Sequence, residues 1–197
     1  MKTAVMIGDS HSQLLFPFIK EYLGLNYLDI ISEPGWGIKR YMSQGVVQLL
    51  PSADVAVVSL GGNNRNMDMI SYATEVKEFV DLLQTKFKRI VWIGPFYSDD
   101  PDVNFRHART NIFLKLELPI SVGYIDTYDL SKPIVRYDKV HFERDGYKLL
   151  VEQIQDKVKT LVHSIRPRVW ISHPKVSIPL GVALAMFSFG IFGASRG

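Results

Sequence analysis

Short apolar runs of strand length alternate with longer segments of helical periodicity along residues 1–165. Such runs are typical of parallel strands that helices cover on both sides. The sequence therefore predicts a three-layer α/β/α sandwich built on a five-stranded parallel sheet. The predicted strands are Thr3–Ile7, Tyr27–Ile31, Val55–Leu60, Ile90–Ile93 and Gly123–Ile125. The predicted helices are Gln13–Leu23, Ile38–Leu50, Met67–Phe87, Phe105–Leu116 and Asp145–Ile165.

Composition narrows the classes of function. The 197 residues carry a formal net charge of only +3, and the Lys and Arg residues are spread along the chain, so we expect no nucleic-acid partner. The absence of cysteine excludes a disulfide framework, a thiolate metal site and a cysteine nucleophile. Neither a His, Asp or Glu group with metal-ligand spacing nor a G-x-x-x-x-G-K phosphate loop is present, so we expect no metal and no cofactor.

Polar and glycine-rich segments follow four of the predicted strands. The carboxyl ends of parallel strands meet at one edge of a sheet, where ligands of open α/β sheets bind. We therefore expect the functional site at this edge. The four segments are Gly8–Ser10, Pro34–Gly37, Gly61–Asn64 and Gly94–Tyr97.

Ser10 lies at a predicted strand-to-helix turn, where a serine hydroxyl can be exposed beside the unpaired amides of a helix N-terminus. This position suits nucleophilic attack, provided that a base takes the hydroxyl proton. The alternative is that Asp9, Ser10 or Ser12 merely caps the helix predicted from Gln13. His11 is interpreted as a residue of the first helical turn and not as a catalytic group.

A base could come from the segment that contains Asp138 and His141, which are three residues apart. One short loop could then deliver both an imidazole and the carboxylate that orients it. The alternative is a surface loop in which Asp138 pairs locally.

Donors to a developing oxyanion could come from two other loops. The side-chain amide of Asn63 follows two glycines at a strand end, and Gly37 could offer an unobstructed backbone N–H. Both segments are also ordinary turn sequences, and Gly35 competes with Gly37 for any role.

Taken together, these segments resemble the four sequence blocks of the SGNH, or GDSL-like, hydrolase family. That family contributes Ser, Gly, Asn and His in this chain order, and the resemblance extends from Thr3 to Leu161. The blocks are G-D-S at Gly8–Ser10, P-G-W-G at Pro34–Gly37, G-G-N at Gly61–Asn63 and D-K-V-H at Asp138–His141.

The resemblance implies a flavodoxin-like SGNH fold and a role for each matching residue. Ser10 is the implied nucleophile, His141 the general base and Asp138 the group that orients it. The implied oxyanion hole consists of the Ser10 N–H, the Gly37 N–H and the Asn63 side chain. The chain departs from the family pattern at Ile38-Lys39, after Gly37, and at position 64.

Four more residues at the same edge are candidates for substrate binding. Trp36, Phe96 and Tyr97 could line an acyl or sugar pocket, because aromatic rings supply apolar area and stacking. Asn64, which stands where the family often has Asp, is a fourth candidate. Alternatively, the aromatic rings cover the core.

The implied function is that of a serine esterase or deacylase. It hydrolyses small acyl esters, such as acetyl groups on carbohydrate, through an acyl-enzyme on Ser10. Acyl transfer from the same site to a sugar hydroxyl is one alternative. The other is a non-catalytic structural, virion or membrane-adaptor protein that retains the fold.

The C-terminal segment differs from the rest of the chain. Residues 176–195 carry no charge and match the ~20 residues of a membrane-spanning helix. We predict a catalytic domain at 1–165, a linker at 166–175 and a hydrophobic tail that is a candidate transmembrane helix. Cations before the tail favour a cytoplasmic domain. Alternatively, the tail packs on protein, in a virion or in a soluble cytoplasmic molecule.

Overall fold

Five parallel strands organise the structure, a computed structural model that describes residues 3–23, 27–64 and 68–163. They form one sheet in the order β2-β1-β3-β4-β5. The strands are β1 (Thr3–Gly8), β2 (Tyr27–Ser32), β3 (Ala53–Ser59), β4 (Phe87–Ile93) and β5 (Val122–Ile125). The predicted five-stranded parallel sheet is therefore confirmed.

Helices cover both faces of this sheet. They are α1 (Ser10–Leu23), α2 (Ile38–Ser43), α3 (Val46–Leu49), α4 (Met69–Lys86), α5 (Pro101–Glu117) and α6 (Arg144–His163). One apolar cluster contains residues of α1 and α6, and the other contains residues of α2 to α5. The three-layer arrangement matches the prediction.

Alternation along the strands divides the core between the two clusters. In β1, Ala4 and Met6 belong to the cluster of α1 and α6, whereas Val5 and Ile7 belong to the other cluster. All four side chains are buried. Because both faces are covered, β1 is an unbroken apolar run from Ala4 to Ile7 without polar alternation.

The strand order places a topological switch point beside β1. The chain passes from β1 to β2 on one side and then returns to form β3 on the other side. In doubly wound sheets the crevice at such a point, beyond the carboxyl ends of the strands, binds ligands. Ser10 follows β1 directly, and Asn63 lies four residues beyond the end of β3.

The structure corrects three predicted helix boundaries. The predicted helix Ile38–Leu50 is two short helices, because Gly45 between them adopts the left-handed conformation with φ of 62°. Helix α1 begins three residues earlier than predicted. Helix α5 begins at Pro101, whose fixed φ suits a first helical position, and the side chain of Asp100 caps it.

The predicted linker at 166–175 and hydrophobic tail at 176–195 lie outside the described residues. None of the helices within the described ranges combines the length and the apolarity that a membrane crossing requires.

Close packing at the end of β1 generates a stability prediction for Gly8→Ala. A Cβ atom at Gly8 would lie 1.6 Å from Ser12 Oγ and 2.6 Å from the Ser59 carbonyl oxygen. We expect the free energy of unfolding, measured by urea denaturation, to fall by about 3 kcal/mol or more, since backbone as well as side chain must move.

Gly35→Ala is the matched control. Gly35 has a φ of +75° but no heavy atom within 4 Å of the added Cβ, so we expect only the conformational cost of about 1 kcal/mol. Equal losses in the two variants would contradict the packing argument.

Candidate active site

The turn between β1 and α1 sets the position of Ser10. Asp9 caps the helix, since its carboxylate accepts a hydrogen bond of 3.1 Å from the His11 N–H and its carbonyl accepts one of 3.0 Å from the Ser12 N–H. Among the capping alternatives, Asp9 is therefore the residue that acts as the cap. The Ser10 hydroxyl remains available for another partner.

That partner is His141. Ser10 Oγ lies 2.8 Å from His141 Nε2, and His141 Nδ1 lies 2.7 Å from Asp138 Oδ2. A carboxylate can only accept, so the Nδ1 proton is donated to Asp138 and Nε2 is left as the acceptor for the serine hydroxyl. The structure thus connects the three predicted residues in one hydrogen-bonded chain.

Local hydrogen bonds hold the Asp138 carboxylate in this chain. Its Oδ1 accepts hydrogen bonds from the backbone N–H groups of Val140, at 3.0 Å, and His141, at 2.6 Å. Partial burial alone would raise the pKa of Asp138, but these bonds and the His141 ring hold that pKa below its ordinary value. The group therefore stays ionised at neutral pH, as an orienting carboxylate must.

The loop that carries Asp138 and His141 is anchored to the loop after β4. Lys139 adopts φ of 69°, unusual for a residue with a side chain, and this conformation allows the tight turn. The Lys139 carbonyl accepts hydrogen bonds from the Asp99 N–H at 2.8 Å and the Ser98 hydroxyl at 3.0 Å. These hydrogen bonds from the loop after β4 hold the backbone of the loop that carries His141.

Arg136 is a second anchor, which the sequence analysis did not identify. Its side chain is only 1% exposed and donates to the carbonyl oxygens of Tyr97 at 3.0 Å, Ile134 at 2.8 Å and Ser131 at 2.6 Å. Its guanidinium also lies over the ring of Phe142, directly after His141. Arg136 therefore fixes the base of the histidine loop. An arginine near D-x-x-H carries no sequence signal for this role.

The three predicted oxyanion donors come from neighbouring loops. Asn63 Nδ2 donates to Asp9 Oδ2 at 2.9 Å, which uses one of its two hydrogens and leaves the other available. Within the described residues, nothing accepts a hydrogen bond from the backbone N–H of Ser10 or Gly37. Two backbone donors without a partner among the described residues and one amide hydrogen thus lie in the loops after β1, β2 and β3.

Asn64 links two of these loops. Its Oδ1 accepts a hydrogen bond of 3.2 Å from the Ile38 N–H, and a Cβ on Gly37 would lie 2.2 Å from that oxygen. Position 37 therefore requires glycine, because a side chain there would collide with the side chain of Asn64. The structure gives Asn64 a contact within the protein, and its predicted contact with substrate stays a prediction.

A further network joins the loops after β1 and β2. The Gly8 carbonyl accepts hydrogen bonds from the Glu33 N–H at 3.0 Å and from the Tyr41 hydroxyl. The same hydroxyl accepts a bond of 3.1 Å from the Glu33 N–H. Tyr41 is buried, so this helix residue fixes the loop that carries Gly37. Sequence reasoning treated it only as part of a helix.

The predicted substrate-binding aromatics occupy different environments. Phe96 is 2% exposed and packs on His11 and Phe142, which favours the alternative of core cover. Trp36 is half-buried, with the Arg40 guanidinium over its ring. Tyr97 is also half-buried and packs against Tyr128 and Arg136, which follow β5 in the chain. Contact of these rings with substrate stays a prediction.

Two buried histidines lie behind the serine. His11 is 6% exposed and its Nδ1 lies 2.8 Å from the Tyr147 hydroxyl. His107 is 3% exposed, and its Nδ1 lies 2.7 Å from the Phe96 carbonyl oxygen. Burial lowers the pKa of both histidines, that of His11 strongly. Both rings are therefore neutral at physiological pH.

Asp9 is the third buried titratable group. Burial raises its pKa to about 6, although the hydrogen bonds from His11 and Asn63 and the nearby His141 oppose this effect. Asp9 is only 3% exposed. The residue between Gly8 and Ser10 therefore contributes a buried carboxyl group that holds the amide of Asn63.

Within the part of the chain that the structure describes, no group of three or more His, Asp or Glu side chains is arranged to hold a metal ion.

A parallel α/β fold with a hydrogen-bonded chain of Ser, His and Asp at its carboxyl edge was compared with known proteins. No protein-family model matches the chain, and no curated protein sequence matches it. The acetylxylan esterase of Geobacillus stearothermophilus is similar in structure, with a TM-score of 0.66 and 12% sequence identity over 84% of this chain and 97% of that one.

Another solved structure that is similar to this chain is the C-terminal catalytic domain of peptidoglycan O-acetyltransferase A from Streptococcus pneumoniae, with a methylsulfonyl adduct. Its TM-score is 0.63, with 17% identity over 81% of this chain and 94% of that one. Three structures of the Geobacillus esterase are catalytic mutants, in which a serine, an aspartate or the histidine three residues after that aspartate is replaced by alanine. These likenesses show that the chain shares the α/β fold of both enzymes, as the motifs implied.

The raised pKa of Asp9 predicts a pH-dependent effect of Asp9→Asn on stability. The folded state binds the Asp9 proton more tightly than the unfolded state, so this group lowers the stability of the wild type as pH rises from about 4 to about 6. We expect the free energy of unfolding of the variant, relative to wild type, to improve by about 2 kcal/mol across this window. Urea denaturation at pH 4, 5, 6 and 7 measures it.

The loss of a hydrogen-bond acceptor adds an offset that is the same at every pH. If the difference in unfolding free energy between the variant and wild type were the same from pH 4 to pH 7, the raised pKa of Asp9 would be contradicted.

Proposed function

We propose that this chain is a serine acyl-ester hydrolase that removes small acyl groups through an acyl-enzyme on Ser10. The observation that carries the proposal is the hydrogen bond of 2.8 Å between Ser10 Oγ and His141 Nε2, with Asp138 at 2.7 Å on the other ring nitrogen. This is the arrangement in which a serine hydroxyl becomes a nucleophile.

In the first half-reaction, Ser10 Oγ attacks the carbonyl carbon of the ester while its proton passes to His141 Nε2. The resulting imidazolium is stabilised by the ionised Asp138. His141 then gives the proton to the departing alkoxide, so an alcohol leaves and the acyl group remains on Ser10.

The tetrahedral intermediate carries a negative charge on the former carbonyl oxygen. The free N–H groups of Ser10 and Gly37 and the second hydrogen of Asn63 Nδ2 stabilise this oxyanion. The Asp9 carboxylate holds the Asn63 amide, and Asn64 holds the start of α2 beside Gly37. Such donors are positioned before the charge develops, which is why they accelerate the reaction.

In the second half-reaction, water replaces the alcohol. His141 takes a proton from the water, the oxygen attacks the acyl carbon, and the proton returns to Ser10 as the acid is released. An alcohol that enters in place of water would receive the acyl group instead, which is transfer.

The comparisons support this chemistry. The Geobacillus acetylxylan esterase loses a serine, an aspartate or a histidine in its catalytic mutants, and its aspartate and histidine have the same spacing as Asp138 and His141. Both similar enzymes act on acetyl groups of carbohydrate polymers, as their names state. An acetylated carbohydrate is therefore the substrate that we propose for this chain.

Acyl transfer is the second candidate, which the likeness to the peptidoglycan O-acetyltransferase domain favours. The two functions differ in the acceptor that reaches the acyl-enzyme. Adding a carbohydrate alcohol to an ester assay distinguishes them, because transfer yields a new ester in place of free acetate.

The nucleophile prediction is tested with Ser10→Ala. Removal of the hydroxyl abolishes the acyl-enzyme, so hydrolysis of p-nitrophenyl acetate by the full chain should fall at least ~1000-fold. Ser43→Ala, which removes the hydroxyl of an exposed helix residue, is the matched control and should keep wild-type turnover.

A serine-directed phosphonate probe provides a second readout. Labelling of the wild type but not of Ser10→Ala supports the enzyme even where p-nitrophenyl acetate is a poor substrate. A folded wild type that neither hydrolyses esters nor takes the label would instead favour the non-catalytic scaffold.

The oxyanion role of Asn63 predicts a separate loss. Asn63→Ala removes one donor, so we expect kcat for ester hydrolysis to fall ~100- to 1000-fold while the protein stays folded by circular dichroism. The KM should change little, because the interaction forms in the transition state. Wild-type turnover in Asn63→Ala would refute this role.

A further inference from the structure

The imidazole of His141 is in contact with two other rings. The buried ring of His11 has its centroid 4.8 Å from that of His141, with the two planes inclined by 32°. The exposed ring of Tyr137 lies 5.9 Å away and is nearly parallel, at 18°. Hydrogen bonds fix the two nitrogens of His141, and these rings limit the tilt of its plane.

The position of His11 is itself tightly defined. Its ring packs against Phe96, Phe142 and Tyr147, and the Tyr147 hydroxyl lies 2.8 Å from its Nδ1. Its backbone N–H donates to Asp9, so the same residue belongs to the helix cap beside Ser10. His11 therefore moves only if the turn that carries Ser10 moves.

We propose that His11 is a positioning residue, an uncharged ring that holds the His141 imidazole in the plane required for proton transfer with Ser10. The inference rests on the proposed function and extends it to a residue that does not contact substrate.

Two chemical features make His11 suitable for this role. An aromatic face against an imidazole stabilises its protonated form more than water-free aliphatic packing does. A protonated neighbour would repel the same imidazolium, but burial keeps His11 neutral, with the pKa well below its ordinary value. The charged or titratable groups that act on His11 are His141, His107, Asp138 and Arg136.

If the side chain at position 11 only filled space, an imidazole would not be expected there. Within the described part of the chain, the Nε2 atom of His11 is buried without a hydrogen-bond partner. A buried polar atom without a partner destabilises a fold, so an apolar ring would pack at lower cost. That cost indicates a function for the imidazole beyond filling space.

The test compares His11→Leu with Phe18→Leu in the full chain. Both variants remove a buried ring from α1, but Phe18 lies about two helical turns beyond His11. Histidines labelled with carbon-13 at Cε1 give separate NMR signals, and the chain has only five. In His11→Leu we expect the His141 signal to broaden at a fixed pH, because its ring is no longer held in one plane. In Phe18→Leu it should equal that of wild type.

Kinetics supply a second readout. In His11→Leu we expect kcat to fall about tenfold with KM nearly unchanged. The double variant His11→Phe with Tyr147→Phe keeps an aromatic face and leaves no unpaired hydroxyl, so it should recover most of the lost turnover.

Wild-type spectra decide the question even if His11→Leu does not fold. We expect a nuclear Overhauser effect between the ring protons of His11 and His141, and a pKa of His11 well below its ordinary value. An ordinary His11 titration, or a His141 signal in His11→Leu that is the same as in wild type, would overturn the inference. The NMR readout needs no turnover, so failure of the proposed function, seen as full activity in Ser10→Ala, is distinguished from failure of this inference.

Discussion

Burial of a parallel sheet on both faces is the constraint on which the rest of this structure depends. The buried parts of the strands must be apolar on both sides, so the polar groups of the site lie in the loops at the strand ends. Because all strands are parallel, these loops collect at one edge, and the switch point beside β1 opens a crevice there. Asp9 and Asn63 are hydrogen-bonded for this reason, although 54 positions separate them in the chain.

The site carries an energetic cost that the core must offset. Asp9 is a buried carboxyl group, Arg136 is a buried guanidinium bonded mainly to carbonyl oxygens, and His11 keeps one nitrogen without a partner in the described part of the chain. Each arrangement destabilises a fold relative to apolar packing. In return, each holds a group beside the serine: Asp9 orients Asn63, Arg136 fixes the histidine loop, and His11 contacts the ring of His141. The groups of the site are therefore held in position at a cost in folding stability.

Most of the fold was predictable because its signals are local. Apolar runs define the strands, and the residues that follow them indicate the functional edge. Errors occurred where a single residue overrides periodicity. Gly45 divides one predicted helix into two by adopting a left-handed conformation, and Asp100 with Pro101 starts α5 earlier than its apolar pattern does. The second error was avoidable, since an Asp-Pro pair is a recognised helix start, whereas the glycine break depends on how the loop packs.

The sequence by itself determined the fold class, the edge of the sheet that carries the candidate site and the residue types that meet there, because the strands and the polar groups that follow them are encoded in short segments. Only the tertiary structure decided how those groups are held. The hydrogen bond from Asn63 to Asp9, the contact of His11 with His141 and the bonds of Arg136 to three carbonyl oxygens join segments far apart in the chain. Such contacts depend on distance and angle in space, which the spacing of residues along a chain does not specify.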